Sequence, residues 1–271
     1  MKFSMKINKK LLKSVINIAE KAGNEIMAFY KKHDVKTTIK EDKSPLTEAD
    51  LVSHNIIYRE LSLLTPDISI LSEESSEKFE LENDRDFYWC VDPLDGTKEF
   101  LKKNGEFTVN IALVYDQKPV MGVVVVPAKN ITYSSLEGLG SFKSVINSAN
   151  LSPIHVKEKV DKNNLTFVTS RSHSDSKTQL FIKRNNGKEI KVGSSLKFVL
   201  IAEGSCDVYP RFAPTMIWDT AAGHSILIEA GGFIAKPNKD TLTYNPNKLL
   251  NSSFIASNIA SELLIQNDQK K

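Results

Sequence analysis

Apolar residues recur at three- and four-residue intervals over residues 8–32, through Leu11, Leu12, Val15, Ile16, Ala19, Ala22, Ile26 and Phe29. That period predicts an amphipathic helix. Ser44-Pro45 breaks the pattern, and Thr47-Glu48-Ala49-Asp50 opens a second helix reaching about Leu64, with Thr47 and Asp50 spaced as a capping box. Ile68-Ser69-Ile70-Leu71 reads as a short strand that ends at Ser72-Glu73-Glu74-Ser75. After an acidic stretch, the apolar run 87–91 predicts a strand stopping at Asp92. Three β-prone runs follow, at 107–115, 120–126 and 131–136. The turn Asp116-Gln117-Lys118-Pro119 between the first two predicts an antiparallel meander.

The second half alternates. Strands are predicted at 165–169, 189–192, 206–209, 233–235 and 254–257, with helices at 175–183, 195–203 and 219–230. The last helix stops at Gly231-Gly232, a suitable C-cap. Such alternation indicates an α/β layer, whereas the first half has an α+β character. Asn147, Ser148, Asn150, Ser152 and Pro153 cluster between them, so the chain divides into residues 1–150 and 151–271.

Composition narrows the class without deciding it. With 271 residues, 41% apolar and 25% charged, the chain has the make-up of a globular protein with a large core. A net charge of +3 is too small and too dispersed for a nucleic-acid partner, but suits a small anionic ligand. Cys90 and Cys206 sit in apolar surroundings and read as buried thiols in a reducing compartment. No window reaches the length of a membrane span. The expectation is a cytoplasmic enzyme, with peripheral attachment to the inner face of the membrane left open.

The candidate chemistry centres on Trp89-Cys90-Val91-Asp92-Pro93-Leu94-Asp95-Gly96-Thr97. Pro93 fixes its own φ and holds Asp92 extended. Asp92 and Asp95 can then converge at the rim of a sheet, where hard oxygen ligands suit a small divalent cation such as Mg²⁺. Amides around Gly96 and Thr97 suit a phosphate oxygen. Each feature also has a plain structural role. Asp-Pro-Leu-Asp-Gly makes a polar turn, and Asp219 would serve as N-cap of the last long helix. Glu73 and Glu74 would serve as solvated acids, and Asp50 as the N3 residue of its capping box. Their joint presence points instead to phosphoryl chemistry.

In that order, Glu73-Glu74-Ser75, Asp92-Pro93-Leu94-Asp95-Gly96-Thr97 and Trp218-Asp219-Thr220-Ala221-Ala222-Gly223 closely resemble the signatures of the metal-dependent, lithium-sensitive phosphatases of the inositol monophosphatase superfamily. The resemblance runs over nearly the whole chain. Several stretches are similar to the CysQ-type 3′(2′),5′-bisphosphate nucleotidases within it. These are Asp95-Gly96-Thr97-Lys98-Glu99-Phe100, residues 104–113, Ser170-Arg171-Ser172-His173, Gly193-Ser194-Ser195-Leu196-Lys197 and Tyr209-Pro210-Arg211-Phe212. Inositol monophosphatases typically carry Thr-Asn where Lys98-Glu99 stand.

The resemblance implies a layered α-β-α-β-α sandwich of the inositol monophosphatase and fructose-1,6-bisphosphatase type, with its site between two subdomains. Glu73, Asp92, Asp95, Asp219 and the Leu94 carbonyl would hold two or three Mg²⁺ ions. Thr97 and Asp50 would orient and deprotonate a water, and Glu74 would orient a second. The substrate would meet Glu73, Leu94, Asp95, Gly96, Thr97 and Asp219 at the reacting phosphate, and Ser170, His173, Gly193, Lys197 and Arg211 at the nucleotide. The implied substrate is adenosine 3′,5′-bisphosphate, hydrolysed to AMP and phosphate, with activity on its sulfated form also expected. Two rivals stand beside this reading: a sister phosphatase acting on inositol monophosphate or a sugar bisphosphate, and a non-catalytic nucleotide-binding sensor.

Overall fold

The computed structural model describes residues 7–32, 36–39, 45–81, 86–172 and 175–260. The chain opens with α1 (Lys9–Tyr30), whose N-cap Asn8 accepts from the Lys10 and Leu11 amides at 3.0 Å each. The short pair β1 (Thr37–Ile39) and β2 (Pro45–Thr47) leads into α2 (Glu48–Leu64). A large sheet follows, made of β3 (Ser69–Ser72), β4 (Tyr88–Asp95), β5 (Thr108–Tyr115), β6 (Lys118–Val126), β7 (Ile131–Leu136), β8 (Gly140–Val145) and β9 (Ser152–Ile154). The one-turn helix α3 (Thr97–Leu101) interrupts it after β4. The second half runs β10 (Thr166–Ser170), α4 (Ser176–Arg184), β11 (Lys188–Val192), α5 (Leu196–Ala202), β12 (Val208–Arg211), α6 (Ala221–Glu229), β13 (Phe233–Ala235) and β14 (Phe254–Ser257).

The seven strands of the first sheet lie in chain order, antiparallel except for the parallel pair β3–β4. The second sheet has the order β11-β10-β12-β14-β13, parallel at its first three strands and antiparallel at the last two. Alternate side chains of the central strands feed two separate cores. Trp89, Val91, Ile111, Leu113, Val123 and Val125 join α1 and α2 on one face. Tyr88, Cys90, Ala112, Val114, Val124 and Val126 join α5, α6 and the second sheet on the other. Burial on both faces explains the unbroken apolar runs in these strands.

Helix α6 lies between the sheets and is buried from Ala221 through Leu227, which is why its sequence shows no polar face. Beyond the second sheet, Phe181 and Ile182 of α4 pack on Phe167, Val208 and Ile255. The stack is therefore the α-β-α-β-α sandwich expected. Cys90 and Cys206 are buried free thiols, and no helix among the described residues is long and apolar enough to cross a membrane.

Four local readings need correction. The strand before the paired aspartates does not stop at Asp92. β4 runs on to Asp95, with a register shift between Asp92, opposite Asn110, and Asp95, opposite Thr108. Pro93 is tolerated because it sits in that bulge rather than in a regular ladder. Asp219 is not an N-cap but closes a 3-10 turn, Ile217–Asp219, while α6 starts at Ala221. Strands β8 and β9 were not anticipated; their polar, partly exposed residues carry little period-2 signal. The hairpin between β5 and β6 turns on Asp116 and Gln117 alone, both left-handed (φ 47° and 61°), with Lys118 and Pro119 already in the strand.

Candidate active site

The bulge at the end of β4 brings its two aspartates around. The Asp92 carboxylate accepts from the Leu94 amide at 3.1 Å, and the Pro93 carbonyl accepts from Ser53 Oγ on α2 at 2.7 Å. The chain then turns through Gly96, whose φ of +91° favours glycine. A Cβ there would also lie 3.0 Å from the Glu106 carbonyl oxygen. Asp219 reaches the same place from the second half, its own carboxylate accepting from the Met216 amide at 2.8 Å. Carboxylate oxygens of Asp92, Asp95 and Asp219 lie within 4.8 Å of one another.

This cluster lies in a cavity of about 920 Å³ between the two sheets. Glu73 and Glu74, on the 3-10 turn after β3, line the cavity without joining the cluster. Leu94, Gly96, Thr97, Ser170, Gly193, Lys197 and Arg211 line it as well, so most of the residues singled out in the sequence meet in one space. His173 falls outside the described residues. His54, His155 and His224 do not line the cavity. His224 is buried against the Tyr244 hydroxyl, and burial pushes its pKa down to about 3.

Asp50 is 2% exposed and uses both of its oxygens. Oδ2 accepts from the Thr47 amide at 2.8 Å and from the Thr47 hydroxyl, the capping box expected at the start of α2. Oδ1 lies 3.1 Å from Thr97 Oγ1. Burial raises the Asp50 pKa, against the lowering effect of its hydrogen bonds from Thr47 and Thr97.

Electrostatics in the cluster are severe. Burial, and then the charges of Glu73, Asp95 and Asp219, drive the Asp92 carboxyl well above the usual carboxylate range. Burial followed by the charges of Asp95 and Glu73 lifts Asp219 to about 8. Asp95 is also raised by burial, though Lys197, Ser195 and Asn110 act in the opposite sense. The sequence offers no cation next to either β4 aspartate; the fold supplies Lys197, which is buried and lowered to about 8, chiefly by desolvation. Converging hard oxygen donors that repel one another when ionised fit a small divalent cation.

Two residues not assigned a role from sequence complete the geometry. Ser195 Oγ lies 2.9 Å from Asp95 Oδ2 and 2.8 Å from the Asp219 carbonyl oxygen, and accepts from Asn110 Nδ2 at 2.8 Å. With one proton to give, it can donate to only one of the two. Asn110 also reaches Asp95 Oδ2, at 3.3 Å. The signal available was an asparagine inside the apolar run 107–113. A buried amide in a strand covered on both faces needs polar partners. Trp89 is a core residue bonded to Thr65, and Trp218 is a buried wall of the cavity.

The inositol monophosphatase family model matches residues 7–270. A protein of Salmonella typhimurium called 3′(2′),5′-bisphosphate nucleotidase CysQ is 41% identical over 250 residues, covering 90% of this chain and 98% of that one. The protein of the same name from Escherichia coli K12 is 42% identical over 255 residues, covering 91% and 99%. Among solved structures, CysQ from Bacteroides thetaiotaomicron superposes with a TM-score of 0.78 at 38% identity, over 94% of this chain and 99% of that one. The carboxylate cluster is what a metal-dependent phosphatase of this kind requires, and the chain belongs to the inositol monophosphatase family.

Proposed function

We propose that the protein is a Mg²⁺-dependent 3′(2′),5′-bisphosphate nucleotidase that removes the 3′-phosphate of adenosine 3′,5′-bisphosphate, releasing AMP and inorganic phosphate. The carrying observation is the convergence of Asp92, Asp95 and Asp219 in one cavity that Thr97, the partner of Asp50, and two buried cations, Lys197 and Arg211, also line. Identity of 41–43% to proteins named as such nucleotidases supports the substrate class. The two lobes in this reading are residues 1–150, carrying most metal ligands, and 151–271, carrying Asp219 and the nucleotide side.

Asp92, Asp95 and Asp219, with Glu73 and the Leu94 carbonyl, would hold two or three Mg²⁺ ions. Bound divalent ions supply a water of lowered pKa and neutralise charge on the phosphate and the leaving ribose oxygen. The chain's own part is orientation and proton handling. Thr97 Oγ1 takes a proton from the attacking water while passing its own to Asp50 Oδ1, which its raised pKa makes a better acceptor. Glu74 orients a second water. The Gly96 and Thr97 amides hold phosphate oxygens as their charge spreads.

Arg211 and Lys197 give the site a bisphosphate preference. Arg211 Nη2 donates to the Pro214 carbonyl at 2.6 Å, but its buried Nε has no hydrogen-bond partner among the described residues. A buried guanidinium N–H left unpaired is costly, and a second phosphate would satisfy it. Ser170 and Gly193 complete this side, with His173 as a further nucleotide contact. The role that follows is removal of the bisphosphate left by sulfotransfer in sulfate assimilation, in the cytoplasm, with the sulfated nucleotide as a second substrate.

Phosphate release from adenosine 3′,5′-bisphosphate and from inositol 1-phosphate, compared with Mg²⁺ and then with added Li⁺, tests this. Lithium-inhibited release confined to the nucleotide is expected. Preference for the inositol ester would overturn the substrate, and release from neither would overturn the phosphatase reading.

A further inference from the structure

Two stretches in which this sequence is similar to the CysQ-type nucleotidases, Lys98-Glu99 and Asn104-Gly105-Glu106, take no part in the chemistry above. We propose that Glu106 and Arg171 form a clamp across the two sheets that positions the nucleotide wall of the cavity against its phosphate floor. The proposal rests on the nucleotidase reading for what the wall receives.

Glu106 lies between α3 and β5, in the half that carries Asp92 and Asp95. Arg171 follows β10, in the other half. Arg171 Nε donates to Glu106 Oε2 at 2.7 Å and Nη2 donates to Oε1 at 2.7 Å, a bidentate fork. The Gly193 amide, just after β11, donates to the same Oε2 at 2.9 Å. One carboxylate therefore gathers the C-terminal ends of two neighbouring parallel strands, β10 and β11. Arg171 Nη2 also donates to the Lys191 carbonyl at 2.6 Å, tying the fork back to β11. Beside it, Ser172 Oγ donates to the buried Glu99 carboxylate on α3.

Backbone packing makes the same connection. A Cβ on Gly193 would stand 2.7 Å from the Glu106 carbonyl oxygen, and one on Gly96 would stand 3.0 Å from that same atom. Glu106 thus touches the phosphate-side turn with its main chain and the nucleotide-side strand ends with its carboxylate. Hydrogen bonds from Arg171 and Gly193 outweigh burial and hold the Glu106 carboxyl below its ordinary range.

The consequence is positional rather than stabilising. The Arg171 side chain is 42% exposed, and half-exposed pairs add little to folding. A planar fork does fix distance and direction, which a single lysine contact does not. Glu106 and Arg171 are positioning residues: they neither line the cavity nor reach a reacting atom.

The test is a double-mutant cycle of Glu106→Gln, Arg171→Gln and the pair, with two readouts. In steady-state turnover, each single variant should raise KM for adenosine 3′,5′-bisphosphate roughly five- to tenfold with kcat within about twofold. The double variant should be no worse than either single. In native-state hydrogen exchange on the free protein, the Gly193 amide should lose about tenfold or more of its protection in Glu106→Gln, while the amides of β5 and β6 keep theirs. Additive KM effects, a fall in kcat at constant KM, or unchanged Gly193 protection would each overturn the clamp. A wild-type protein that does not hydrolyse the nucleotide would overturn the functional reading instead, and the exchange measurement would still decide whether the clamp exists.

Discussion

Asp50 divides one carboxylate between two tasks, and the division is measurable. Its Oδ2 holds the start of α2 through Thr47, while its Oδ1 faces Thr97. Thr97→Ala spares the Thr47 cap and removes the second contact, together with the 3.3 Å hydrogen bond from Thr97 Oγ1 to the Leu94 carbonyl, so kcat should fall about 10²–10³-fold with a smaller melting shift than that of Asp50→Asn. Asp50→Asn should lose comparable kcat and about 1 kcal/mol of stability from the weakened cap, seen as a melt lower by roughly 2–4 °C. Equal melting shifts in the two variants would refute the division. Lys197 offers a second residue-scale prediction. Burial lowers it to about 8, so its cation is present below that pH and lost above it. In the free enzyme, kcat/KM for the bisphosphate should therefore decline above about pH 8, and Lys197→Arg should carry the plateau to higher pH. An unchanged profile in Lys197→Arg would assign the decline to another group. Asp92 and Asp95 were legible because a proline-spaced pair declares itself locally. Asn110 and Ser195 were not, because they meet Asp95 only through contacts spanning 15 and 100 residues.

Elements carry these side chains to the floor, and their packing leaves little slack. α6 lies so close on β6 that a Cβ on Gly122 would come 2.4 Å from the Ala222 carbonyl oxygen. Its neighbour Gly223 is packed equally hard on the Phe198 ring of α5. Gly122→Ala must push α6 away, at a cost of about 2–4 kcal/mol. Because α6 begins two residues after Asp219, the same displacement should weaken Mg²⁺ binding, which titration calorimetry against wild type would show. A variant that is destabilised yet binds Mg²⁺ normally would mean the 3-10 turn is held independently of the helix. The longer helices and the central strands were legible locally, α1 from its single apolar stripe and β5 and β6 from runs that are mainly apolar. The continuation of β4 past Pro93 was not, because proline ordinarily ends a ladder and only the bulge opposite Thr108 and Asn110 accommodates it. Residue type also named Asp219 an N-cap; the intervening 3-10 turn follows directly on Met216, which pairs with Leu250, a contact no local pattern records.

At the scale of the whole molecule, the site is a place where each half contributes acids that the other half's acids oppose. Asp92 and Asp95 come from the first sheet, Asp219 from the segment between β12 and α6, and all three carboxyls are raised above their ordinary value by burial first; the charges of Glu73, Asp95 and Asp219 add to this at Asp92, and those of Asp95 and Glu73 at Asp219. A carboxyl raised in the folded state binds protons that the unfolded chain has already released. From the unfolded value near 4 up to about 8, the folded protein therefore holds more protons, and its stability falls as pH rises. A divalent cation replaces those protons and removes the penalty. Metal-free protein should consequently melt at a lower temperature at pH 8 than at pH 5, and the rise produced by Mg²⁺ should be the larger at pH 8. At a hundredfold excess over Kd, one ion contributes about 2.7 kcal/mol, on the order of 5–10 °C for a chain of this size. Asp219→Asn should make the metal-free slope shallower, because its amide carries no proton to lose while Asp92 and Asp95 keep theirs. Thermal melts of both proteins at the two pH values, with EDTA and with Mg²⁺, test all of this at once. A Mg²⁺-induced rise that is equal at pH 5 and pH 8 would mean that the ions are held elsewhere than by these carboxylates, and a slope as steep in Asp219→Asn as in the wild type would mean that Asp219 does not hold a proton in this range.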